Sequence, residues 1–113
     1  MFGFISDLFN YKRDKALYDS LLKKKYDKSI ELLNNGANPK NRFVVSIDSI
    51  YPIDIAIMYN QPVLLKKLLE SGANPNKYWY VMSAPIYRVQ QGSEMYNMLI
   101  SYGAVLNGDD RYF

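Results

Sequence analysis

Two pairs of acids, Asp14 with Asp19 and Asp109 with Asp110, are the candidates in this sequence for paired proton transfer, one carboxyl as acid and the other as base. Their settings point elsewhere. Asp14 and Asp19 lie in a stretch of mixed charge that reads as a solvated helix face, and Asp109 and Asp110 in a polar tail. The sequence holds no cysteine and no histidine. That removes disulfides, thiolate or imidazole metal sites, thiol nucleophiles and every triad with a histidine base. The residues therefore predict a protein that is not an enzyme and carries no metal or cofactor.

Recognition chemistry is better represented. The only tryptophan, Trp79, stands between Tyr78 and Tyr80 in the run Lys77-Tyr78-Trp79-Tyr80-Val81-Met82. Large aromatic rings with arginine are the types that dominate binding energy at protein interfaces. Arg42, Phe43, Tyr78, Trp79 and Arg88 are candidates on that ground, with the alternatives that Phe43 or Val45 folds back to cover the core and that Trp79 packs on its own finger or the third unit. A second recognition chemistry is a basic one. Lys12, Arg13, Lys15, Lys23, Lys24, Lys25 and Lys28 crowd the first third, which would suit nucleic acid or an anionic surface. Asp7, Asp14, Asp19 and Asp27 interrupt them and the net charge is only +3, so nucleic acid is the disfavoured partner.

These residues need elements to position them. Residues 1–14 carry apolar side chains at helical spacing (Ile5, Leu8, Phe9), too short a run for a membrane span and without the features of a secretory signal. They predict an N-terminal cap helix and a cytoplasmic protein. Beyond them one phrase recurs. Leu32-Leu33-Asn34-Asn35-Gly36-Ala37-Asn38-Pro39 returns as Leu68-Leu69-Glu70-Ser71-Gly72-Ala73-Asn74-Pro75 and as Leu99-Ile100-Ser101-Tyr102-Gly103-Ala104-Val105-Leu106. Each copy reads as a helix end closed by a glycine in the left-handed conformation. The glycines are 36 and 31 residues apart, a period that indicates a solenoid of stacked units. Helix pairs are predicted at 16–22 with 26–33 and at 52–59 with 62–71, and a third unit is divided at Gly92. Ile86, Val89, Met95, Met98, Leu99 and Val105 are expected to face inward there. Residues 39–50 and 76–83 are connecting fingers, the first with a β-leaning run from Phe43 to Ile47.

In these units the sequence resembles the ankyrin-repeat family. Tyr51-Pro52-Ile53-Asp54-Ile55-Ala56 stands where that family has T-P-L-H-x-A, Gly72-Ala73-Asn74-Pro75-Asn76 follows its G-A-D-x-N ending, and Ala84-Pro85-Ile86-Tyr87-Arg88-Val89 is a weaker copy. The resemblance implies an all-α solenoid of helix pairs joined by hairpin-like fingers, in one domain: repeat 1 at 15–38, finger and repeat 2 at 39–74, finger and repeat 3 at 75–106, and a tail at 107–113. Loss of the family's Thr and His at Tyr51 and Asp54, and at Ala84 and Tyr87, implies fewer hydrogen bonds between turns and less regular fingers. Family members bind proteins through the fingers and inner helices. Carried onto this chain, the variable positions are Ile47, Asp48 and Ile50, then Met58 and Tyr59, then Tyr80, Val81 and Ser83. The expected function is a protein–protein interaction module, monomeric, of the small inhibitor or immunity type that occludes a toxin or enzyme.

Overall fold

Helix ends decide this architecture. The computed structural model describes residues 2–45, 48–78 and 83–106. Its helices are α1 (Phe2–Leu22), α2 (Tyr26–Asn34), α3 (Pro52–Met58), α4 (Pro62–Glu70) and α5 (Glu94–Ser101). A hairpin of β1 (Phe43–Val45) and β2 (Asp48–Ile50) precedes α3, and a 3-10 turn, Pro85–Arg88, precedes α5. Among the described residues the regular elements are thus helical apart from one two-stranded hairpin.

The repeated phrase closes three helices in the same way. Gly36, Gly72 and Gly103 take φ of 97°, 103° and 100°. Each donates its N–H to the carbonyl three residues back (Leu33, Leu69, Ile100), and the alanine that follows donates to the carbonyl five residues back (Leu32, Leu68, Leu99), at 2.9–3.1 Å throughout. This paired closure satisfies carbonyls that a helix end leaves open, and it needs a residue without a Cβ at the left-handed position. Within the first two units the turn between helices is also shared. Lys24 and Asn60, 36 residues apart, are both left-handed, and the residue after each donates 2.8 Å back to Ser20 or Ala56.

Each helix packs on its hairpin mate, α1 with α2, α3 with α4, and the 3-10 turn with α5. Across units, α1 packs on α3 and α3 on the 3-10 turn, while α2 packs on α4 and α4 on α5. The result is an inner row and an outer row. Leu17, Leu21, Leu33, Ile53, Ala56, Leu64, Leu65, Leu68, Leu69, Ile86 and Leu99 fill the space between them. Burial of each large aliphatic side chain stabilises the stack by about 1.5–3 kcal/mol. Ala56 and Ala37, small and buried, sit where elements pass closely.

Four expectations are corrected. The cap helix and the first helix of repeat 1 are one 21-residue helix, because no Gly or Pro interrupts residues 4–22 and the junction is rich in helix-forming Lys, Arg and Ala. Leu8, expected on a covered face, is 46% exposed, and the side chains of Ile5 and Phe9 lie outside the described residues. The inner helix of the third unit is a single 3-10 turn followed by extended Val89. It has 7 residues from Pro85 to the left-handed Gly92, where the second unit has 8 from Pro52 to Asn60. One residue fewer changes the exit direction by about 100°, so a full α-helix would not deliver the chain to α5. Val105, expected inward, is exposed, its N–H held 2.9 Å from Asn76 Oδ1.

One finger also differs from expectation. The first is a regular antiparallel hairpin, Phe43 paired with Ile50, Val44 with Ser49 and Val45 with Asp48. Asp54 fills the place of the missing hydrogen bonds. It accepts the Tyr51 N–H at 2.8 Å through Oδ2, and its own N–H donates 2.9 Å back to the Tyr51 carbonyl, a reciprocal closure of the start of α3.

Candidate functional site

Among the described residues the predicted site residues separate into two groups. Phe43 and Ile50 are core residues, 7% and 9% exposed, at the base of the first finger. The Phe43 ring stacks on Tyr18 of α1, centroids 4.7 Å apart and planes 10° from parallel. Both are therefore removed from the binding surface: facing each other across the hairpin, they seal it onto the first helix pair, and their burial outweighs any use in contact with a partner. Arg88 is the third correction. Its Nη2 donates to Asp54 Oδ1 and its Nε donates 3.1 Å to the Ser83 carbonyl. Asp54 is fully buried and the Arg88 side chain only 17% exposed, so this arginine joins the second unit to the third instead of standing on a rim.

A second group stays on the surface. Met58 is 54% exposed and Tyr59 40%, at the C-terminal end of α3. Lys24 Nζ lies 4.1 Å from the centre of the Tyr59 ring, a cation–π contact between the turns of units one and two. Ser83 is exposed, Tyr78 is partly buried, and Arg42 is exposed. Asp48 pairs with Val45 through its backbone. Ile47, Trp79, Tyr80 and Val81 lie outside the described residues.

A further set of residues, Arg42 apart, was not predicted as a site from the sequence. Lys40, Asn41, Arg42, Tyr51 and Lys77 line one cleft between the roots of the two fingers. Its lysines stand on matching turns of successive units. The Lys40 N–H donates 2.8 Å to Asn38 Oδ1, and 36 residues later the Asn76 N–H donates 2.8 Å to Asn74 Oδ1. The Lys77 N–H then reaches the Asn74 carbonyl at 3.3 Å. Three of the five lining residues are cationic and none is acidic. Lys40 also walls off a second depression lined by Leu33, Gly36, Ala37, Asn38 and Ser71. A signal did exist in the sequence: the residues that follow each Asn-Pro pair are Lys-Asn-Arg in one unit and Asn-Lys in the next.

Polar side chains fix the register of neighbouring loops. Asp14 Oδ1 accepts the Asn38 N–H at 2.8 Å, and Arg13 Nη1 donates 3.1 Å to the Asn35 carbonyl at the end of α2. In the last unit Asn76 alone does both jobs, accepting from Val105 and donating 3.1 Å to the Gly103 carbonyl. Asp14 is thus a structural acceptor. In the first third, Lys15 pairs with Asp19 at 3.3 Å and Lys28 with Glu31 at 3.5 Å. The field of that lysine-rich stretch is partly cancelled where it arises.

Among the described residues no group of three or more His, Cys, Asp or Glu side chains is placed to hold a metal ion, and no helix is long and apolar enough to cross a membrane. No family model matches the chain, and no curated protein or solved structure compared with it does so either.

Proposed function

We propose that this chain is a small ankyrin-type array that binds another protein through its inner row and fingers, and that it acts by covering that partner. A toxin or enzyme held by an inhibitor or immunity-type protein is the role that fits best. The observation that carries the reading lies at the two ends of α3, whose residues Pro52 to Ile57 are themselves all buried. Exposed Met58 and Tyr59 mark one end of this short helix, and the cationic cleft around Tyr51 marks the other. Apolar contact area bordered by charge is the make-up of a protein interface. The inner row that carries it is fixed by the core behind it, which lowers the entropy lost on binding.

The decisive experiment is capture of partners from the native host by the wild-type chain, by Trp79→Ala/Tyr80→Ala and by Met58→Ala/Tyr59→Ala. A partner retained by the wild type and weakened by about 2 kcal/mol or more in each double variant, with circular dichroism unchanged, supports the reading. Equal retention by all three removes the surface from the site. The nucleic-acid alternative draws its support from the lysine-rich first third, where the Lys15–Asp19 and Lys28–Glu31 pairs weaken it.

A further inference from the structure

We infer that the cleft between the finger roots is a carboxylate-binding site that takes an acidic stretch of the bound protein, with Lys40 and Lys77 as its principal contacts. The inference rests on the protein-binding reading above and names the chemistry of the partner. Lysines from two successive units line one open groove, together with Asn41, Arg42 and Tyr51. Neither lysine is carried on a loose loop. The backbone of Lys40 is anchored to the Asn38 side chain and that of Lys77 to the Asn74 carbonyl. The Lys40 stem is packed as well: a Cβ built on Gly72 would stand 2.8 Å from its Cε. The turns that carry the two exposed lysines are fixed, and neighbouring carboxylates of an extended peptide can meet their ammonium groups in turn.

Carboxylate is favoured over phosphate backbone by extent. A nucleic-acid strand needs a basic track along several nucleotides. Here the cleft holds three cationic residues, and the lysines of α1 and α2 do not extend it into a track, since Lys15 and Lys28 already face Asp19 and Glu31. Acidic peptide is the ligand whose charge fits a short groove with donors of this kind.

The test is a nitrogen-15 correlation titration of the full chain with an acetylated hexaglutamate peptide, beside a hexathymidylate of comparable charge. The expected result is shifts concentrated on the amides of Lys40, Asn41, Arg42, Tyr51, Lys77 and Tyr78, with the peptide bound more tightly than the oligonucleotide. Lys40→Gln and Lys77→Gln should each weaken the peptide by about two- to five-fold at low salt, and the binding should fade as salt rises. Both substitutions are at exposed positions, and the rest of the spectrum reports that the fold is kept. Shifts centred on residues 12–28, tighter binding of the oligonucleotide, or no shifts would each overturn the inference. Retention of a captured partner undiminished in Lys40→Gln/Lys77→Gln, but lost in Trp79→Ala/Tyr80→Ala, would overturn the cleft and keep the protein-binding reading. Peptide binding in the cleft without any captured partner would remove that reading and leave the carboxylate site standing.

Discussion

Arg88 and Asp54, 34 residues apart, form a buried ion pair that joins the second unit to the third. Asp54 divides its two oxygens between neighbours: Oδ2 closes the start of its own helix on Tyr51, and Oδ1 accepts from Arg88. Ionised side chains out of water are tolerated when every lone pair meets a donor, and costly when one partner is removed.

Arg88→Ala should therefore destabilise the chain by about 3 kcal/mol, measured by urea denaturation. Arg88→Met combined with Asp54→Asn should recover part of that loss, because no uncompensated charge stays in the core. Equal losses in both variants would show that the pair contributes packing alone.

Phe43 gives a second test, since its chemistry suits an interface and its position is in the core. Phe43→Ala should cost about 3–5 kcal/mol of folding stability. In a double-mutant cycle with Tyr18→Ala the coupling should be about 0.5–1.5 kcal/mol. A stable Phe43→Ala protein that had lost only partner affinity would return this residue to the binding surface.

Alkaline pH supplies a third. Burial raises the Tyr18 phenol above its usual value near 10, and the Asp14 carboxylate adds to the effect. The folded state thus favours the neutral ring. Its contribution is complete below the unfolded value and declines as pH climbs through the higher folded one. Melting temperatures should fall more steeply above pH ~10 in the wild type than in Tyr18→Phe. Parallel curves would contradict the assignment.

The helix-closing glycines differ in what lies over them. Gly72 at φ 103° is crossed by Lys40, whereas a Cβ on Gly103, at φ 100°, would meet nothing within 4 Å. Gly103→Ala should cost about 1–2 kcal/mol from backbone strain alone. Gly72→Ala should cost at least as much and also shift the amide resonances of residues 39–42, as the Lys40 stem is pushed aside. A change at residues 39–42 in Gly103→Ala instead would break the distinction.

How much of this could be read from the residues follows from the range over which each is decided. Gly36 and Gly72, Pro52 and Pro62 act on the backbone next to them, and the two-layer pairing follows from where they stop and start helices. The β-leaning run at Phe43 likewise formed its hairpin. Residue type could not say whether Phe43 and Ile50 meet a partner or the core, because the deciding neighbour, Tyr18, comes 25 residues earlier than Phe43. Arg88 read as a partner-binding cation for the same reason: its carboxylate belongs to another unit. Lys40 and Lys77 went unnoticed because each is an ordinary turn lysine until stacking sets the two turns side by side. The junction near residue 14 was misplaced because a change of role along α1 needs no change of conformation.

That unbroken α1 has a mechanical consequence. Its antiparallel neighbour α2 ends where Arg13 meets the Asn35 carbonyl, so residues 2–12 continue past the end of α2 as about 16 Å of projecting helix. A free helix of that length is marginal in water. Leverage therefore runs outward from the anchored half: loosening Leu17 or Leu21 in their seat would unwind the projecting turns, whereas trimming the tip would leave the seat intact.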